Sequence, residues 1–413
     1  MDKRKLKKAV GELMLRNRRI SGRHQYTVPS TKTYPYQWLW DSCFHAIILS
    51  HINYEDAKKE LLSLVSKQFP NGLIPHMIYW RKHTESDFPV IEWGKEDTST
   101  ITQPPMIAYA VWKIYQQDQD KDFLRNIYPN LNLYYRYLIN ERDPRNNHLI
   151  GIINPDESGE DNSPRFDIPL GLPPVHSLDV NFQKRLELVS EHERCDFEVG
   201  KCMRNFFWVK DVPFNAIMVK NLNCLSEIAQ VLNFIDDAKY FADQATLISD
   251  AMRKLMFEDG LYWSTYDRDY KKVKVKTWAI FMPLFAQICT KSEAQELVQK
   301  FLLDETRFGG KFLVPTVSRD EPSFDPDNPW RGIAALLSTN LSWRGPIWIA
   351  VNWFIYQGLQ NYNFKKEAKM ILESSLSLLE SAGFRESYNA KTGEGLGAKD
   401  FTWGGLILDM DLT

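Results

Sequence analysis

Two stretches of the chain gather carboxylic acids in settings that could do proton chemistry. The first, INPDESGEDNSPRFD at 153–167, holds Asp156, Glu157, Glu160, Asp161 and Asp167 beside Gly159, Pro164 and the cation Arg165. The second, FRESYNAKTGEGLGAKDFTWGG at 384–405, sets Glu386 and Glu394 between glycines and aromatics. Hydrolysis of a glycosidic bond uses two carboxyl groups: one protonates the leaving oxygen, the other activates water or attacks the sugar. The acid must keep its proton near neutral pH, and neighbouring carboxylates together with desolvation push it that way. The Glu157/Glu160/Asp161 cluster could do this to one of its members, with Arg165 holding another ionised. The competing reading is a solvated acidic turn, which composition alone favours. By the same measure Glu394 reads as part of a glycine-rich turn, and Glu386 as a surface residue at a helix end.

The aromatics offer a second kind of chemistry. YPYQWLWDS at 34–42 sets Tyr34, Tyr36, Trp38 and Trp40 next to Asp41, and LSWRGPIWIAVNW at 341–353 mixes Trp343, Arg344 and Trp348. Sugars present apolar C–H faces to rings and hydroxyl edges to Asp, Gln or Arg, so this mixture suits a carbohydrate. Trp112 and Trp353 fall inside helical patterns and read as packing. Other chemistries lack their signatures. There is no GxSxG, no GxGxxG after a strand, and FGGK at 308–311 lacks phosphate-loop spacing. Without HExxH or CxxC, neither a metal nor a cofactor is expected. The five cysteines, odd in number and irregularly spaced, suggest no disulfide framework.

What must position these residues is helical. Residues 54–69 place Ala57, Leu61, Val65 and Phe69 on one stripe behind the capping candidate Asn53. Asn363 opens a similar run to 382, and Pro104 and Pro105 fit the first turn of a helix over 104–117. Further helical stretches lie near 4–18, 39–51, 121–140, 212–232, 235–256, 277–302 and 346–360. Long loops rich in Pro, Gly, Trp and Asp occupy 70–102, 142–180 and 304–345, a length that usually means function. No Gly/Ser linker divides the chain, so a single all-α domain over 1–413 is expected, with its loops over one end. A formal charge of −2 argues against a nucleic-acid partner. The start, MDKRKLKKAV, has no apolar signal region, and no apolar run is long enough to span a membrane, so the expected location is the cytoplasm.

Taken together and in order, WLWDSCFHA, QFPNGLIPH, TQPPMIA, ESGEDNSPRFD, LVPTVSRDEPSFDP, WRGPIWIAVNW and GEGLGAKDFTW resemble glycoside hydrolase family 63. The similarity runs from about Tyr34 to Trp403 and is greatest to the compact mannosylglycerate and glucosylglycerate hydrolases; trehalases of family 37 are more distant. The resemblance implies an (α/α)6 barrel, or toroid, and an inverting α-glycosidase acting on a small carbohydrate, an α-glucoside or α-mannoside. It places the general acid on Asp161 and the general base on Glu386. Trp38, Trp40, Asp41, Gln103, Trp343 and Arg344 match sugar-contacting positions, and Tyr34, Tyr36, His76 and Trp403 complete the candidate binding set. On this view crowding keeps Asp161 protonated. An anionic aglycone would draw on Arg204, Lys210 or His76. Three departures would reshape the cleft: Asp156 where a Trp is usual, Ser342 where a Tyr is usual, and an added stretch at 328–340. The rival readings are a trehalase-like or other α-glucosidase, and a catalytically silent carbohydrate-binding protein on the same barrel. The oligomeric state is left open.

Overall fold

The computed structural model describes residues 2–81, 91, 93–326 and 343–411. Ser342 and the 328–340 stretch lie outside them. Helices form where the apolar spacing is helical, and cap chemistry sets several of their starts. Asp2 opens α1 (Lys3–Asn17), and Asn53 opens α3 (Tyr54–Val65) by accepting from the backbone N–H groups of Glu55 and Asp56. Asp120 caps α5 (Lys121–Glu141), and Thr290 with Glu293 forms a reciprocal capping box on α11 (Lys291–Leu297).

Burial sorts the helices into two kinds. Every residue of α2 (Leu39–Ser50) is buried, as are most of α4 (Ile107–Asp118), α8 (Val212–Val231), α10 (Met282–Ala286) and α12 (Ile349–Asn361). By contrast α3, α5, α9 (Ile235–Leu255) and α13 (Lys365–Ala382) each bury one stripe, as surface helices do. The buried helices pack in a circuit: α2 on α4, α4 on α8, α8 on α10, α10 on α12, α12 on α14 (Ile407–Asp411), and α14 back on α2. The amphipathic ones lie against them, α3 on α2, α5 on α4, α9 on α8 and α13 on α12. Among the described residues no helix is long and apolar enough to cross a membrane.

Several expectations need correction. The fold is predominantly helical, as expected, with small sheets added that the sequence did not announce. Short antiparallel ladders tie loop ends together, among them Gln37–Trp38 with Met77–Ile78 and a hairpin of Arg385–Tyr388 with Gly395–Lys399. Such segments are too short to show a period of two, and they form because loop backbone groups need partners. Pro104 and Pro105 precede α4 rather than opening it. Asn363 sits at φ 64° in the turn before α13, a left-handed conformation that Asn tolerates, so it is no cap. The 277–302 stretch breaks into a 3-10 turn, α10 and α11, because Gln287 turns left-handed after α10. Among the helices outside the expected set are α6 (Leu178–Arg194) and α7 (Val199–Asn205). The α6 helix buries Asn181, Arg185 and His192 along with Leu188 and Val189, so polar residues interrupt the stripe that would announce it. A Cys195–Cys202 disulfide joins α6 to α7, contrary to the reading of the cysteines; Cys43, Cys224 and Cys289 are free.

Candidate active site

A cavity that encloses about 1050 Å³ of space, counting the open solvent at its mouth, collects the loop ends named above. Asp161 and Glu386 both line it, although 225 positions separate them in the chain (386 less 161). Aromatic rings make its walls. Trp343 stacks on Trp348 at 4.1 Å between ring centroids, and Trp403 meets Trp40 edge-on at 5.2 Å. Trp38 stands edge-on to His76, and Tyr36 to Tyr79. Gly159 turns the acidic loop at φ +72° directly against the Trp40 indole, where any Cβ would overlap the ring.

Glu386 lies on the Arg385–Tyr388 strand and is only 2% exposed, so the surface reading of this residue is overturned. Its Oε1 accepts from the Tyr34 hydroxyl at 2.6 Å, and its Oε2 accepts from the Ala398 N–H at 2.7 Å. Gly397, at φ +63°, leaves the space its carboxyl occupies. Burial pushes Glu386 up to about 7; the two hydrogen bonds oppose the rise and the charge of Asp161 adds to it. A carboxylate titrating there is well matched to taking a proton from water near neutral pH. Glu394 is exposed in a turn, as its sequence suggests.

The Glu157/Glu160/Asp161 cluster does not crowd the cavity as a group, because Glu157 and Glu160 are held in buried ion pairs away from it; the acid beside Asp161 is Asp156. Every carboxylate of the loop is paired with a guanidinium, and Asp156 and Asp161 share one. Glu157 pairs with Arg142 at 2.6 Å, and both are fully buried away from the cavity. Glu160 pairs with Arg165 at 2.7 Å and accepts from the Trp278 indole; even so, burial leaves it above the usual carboxylate range. Asp167 pairs with Arg344 at 2.6 Å. Asp156 and Asp161 share the Nη1 of Arg185, at 2.8 and 2.9 Å. Of these acids Asp156 and Asp161 line the cavity, and the rest are scaffold. Replacing Arg142 by Met should therefore strand a buried carboxylate and destabilise the fold by about 3–5 kcal/mol. Urea unfolding measures this, and a loss below about 1 kcal/mol would contradict it.

The remaining candidates divide. Tyr34, Tyr36, Trp38, Trp40, Asp41, His76, Gln103, Trp343 and Trp403 all line the cavity. Asp41 accepts from the Trp403 indole at 2.7 Å, and burial raises it to about 6. The Gln103 side-chain oxygen accepts from the Trp40 N–H. Arg344 does not line it; its guanidinium is spent on Asp167. Nor does the cation set proposed for an anionic aglycone hold. Burial takes His76 down to about 3 and leaves it neutral, Lys210 is sealed against Asp143 and the Leu149 carbonyl, and Arg204 borders a separate cavity. Among the described residues the guanidinium that faces the site is Arg185 on α6, with Phe182 one turn before it. Sequence reasoning missed both; their i, i+3 spacing was the available signal.

Comparison with known proteins fits this geometry. The model of the mannosylglycerate hydrolase MGH1-like glycoside hydrolase domain matches residues 34–404. A mannosylglycerate hydrolase of Thermus thermophilus is 34% identical, over 96% of this chain and 97% of its own. A glucosylglycerate hydrolase of Mycolicibacterium hassiacum is 27% identical, over 91% and 92%. The crystal structure of a GH63 mannosylglycerate hydrolase from Thermus thermophilus, in complex with Tris and D-glycerate, superposes with a TM-score of 0.86 at 32% identity, covering 98% of this chain and 99% of that one.

Proposed function

The chain belongs to the mannosylglycerate hydrolase MGH1-like glycoside hydrolases, and from that premise we propose that it hydrolyses a small α-mannoside or α-glucoside with inversion. Mannosylglycerate and glucosylglycerate, named for its relatives, are the first substrates to try. Asp161 gives a proton to the glycosidic oxygen as the bond to the anomeric carbon breaks. Glu386 takes a proton from the water that attacks the opposite face. The Trp343–Trp348 stack and the Trp40–Trp403 pair cover the sugar's C–H faces, and Asp41 and Gln103 bind its hydroxyls. We read the closed circuit of buried helices, with amphipathic helices lying against it, as a six-fold α/α barrel forming one domain. The observation that carries the reading is that the two acids open on one aromatic-walled cavity of sugar size.

Proton NMR during hydrolysis of mannosylglycerate and glucosylglycerate tests it, with trehalose as a third substrate for turnover alone. The β anomer of the released sugar should appear first. First release of the α anomer would remove the inverting assignment, and no turnover on any small α-glycoside would remove the function.

A further inference from the structure

The Arg185 contact poses a chemical problem for the site. A general acid must carry a proton when the bond breaks, yet an adjoining guanidinium favours the bare carboxylate. Arg185 is 3% exposed, its Nη1 bridges Asp156 Oδ1 and Asp161 Oδ2, and its guanidinium lies 5.3 Å from the centre of the Phe182 ring. It has no slack to move aside without leaving both acids. Asp156 Oδ2 is sealed from solvent and has no hydrogen-bond partner among the described residues. Besides these two, the described charged and titratable groups that line the cavity with Asp161 include Glu386 from the hairpin, Tyr34 from the 29–36 loop, Asp41 from α2 and His76.

We propose that Asp156 is a positioning residue for the general acid: by sharing the Arg185 guanidinium, it keeps that cation from holding Asp161 permanently as a carboxylate. This rests on the reading of Asp161 as the acid. With both carboxylates ionised, the trio carries two negative charges and one positive. One added proton makes it neutral, and the buried Arg185 then has no excess negative charge beside it to leave uncompensated. Burial raises Asp156, the Arg185 charge opposes the rise and the charge of Asp161 adds to it; the shared Nη1 contact is the geometry that sets the two acids in competition for one cation. In the reaction the trio gives its proton to the leaving oxygen and returns to a net negative charge. Glu386 meanwhile gains one proton from water. Exchange of one proton with solvent at each acid resets the site. Because the acids interact, they titrate as a unit and not as separate groups.

The test is the pH profile of kcat/KM, whose alkaline limb reports loss of the acid's proton. Asp156→Asn is isosteric and leaves Arg185 to Asp161 alone; the alkaline limb should move down by about one pH unit or more. Asp156→Glu should return it towards the parent position. Arg185→Met should move the same limb up, while the acid limb stays in place. An Asp156→Asn limb that stays put, or moves up, overturns the proposal. Should Arg185→Met not fold, the two Asp156 variants decide alone. A purely structural role would lower the rate without moving the limb, which also overturns it. Asp161→Asn separates the two readings: if that variant keeps full turnover the general-acid assignment itself fails, whereas an inactive Asp161→Asn beside an unshifted Asp156→Asn sinks this inference only.

Discussion

Asp161→Asn should cost about 10²–10⁴-fold in kcat on a natural glycoside, the usual worth of a positioned proton donor. The loss should depend on the leaving group. A sugar alkoxide needs its proton as the bond breaks. Fluoride needs far less help, so an α-glycosyl fluoride should be hydrolysed by the variant much closer to the parent rate. Asn fills the same volume and still accepts from Arg185, so the cavity should keep its shape. Steady-state kinetics on the two substrates measure the difference. Equal losses on both would mean that Asp161 positions the sugar and does not protonate the leaving oxygen. A fully active variant would leave the 153–167 loop without a chemical role and would favour a carbohydrate-binding reading of the cavity.

What could be seen in the sequence was set by where burial is apolar. The α3, α5, α9 and α13 helices each bury one stripe of Ala, Leu, Ile or Phe, and their positions were legible from that spacing. The α6 helix was less legible, because Asn181, Arg185 and His192 interrupt the Leu188 and Val189 it turns to the interior. The same blindness extends to the site. Partners of the acidic loop lie 15 positions before Glu157, at Arg142, and 29 after Asp156, at Arg185. A cluster read as crowded acids is therefore mostly a set of ion pairs, with only Asp156 and Asp161 left to share one cation. Composition placed Glu386 on the surface, because its burial comes from Tyr34, 352 positions away, and from a hairpin that Gly397 allows. Its role came from the family resemblance alone. Arg344 shows the converse: its motif suggested sugar contact, and Asp167, 177 positions away, takes its guanidinium.

Glu386→Gln should be the second severe variant, and its signature differs from the first. The amide cannot take a proton from water, so attack on the anomeric carbon loses its base whatever the leaving group. Turnover should fall by about 10²–10⁴-fold on the natural glycoside and comparably on the glycosyl fluoride. The pH dependence of the parent enzyme gives the sign. A base must be ionised to act, and burial with the charge of Asp161 raises Glu386 to about 7. Activity should therefore fall as pH drops below about 7 and hold above it until the acid loses its proton. The Tyr34 hydroxyl donates to the ionised form and so works against that rise. Removing it in Tyr34→Phe should shift the acid limb to higher pH while leaving the alkaline limb where it was. A Glu386→Gln variant that hydrolyses the fluoride at the parent rate would show that water is activated by another group. An acid limb that Tyr34→Phe does not move would show that a different residue sets it.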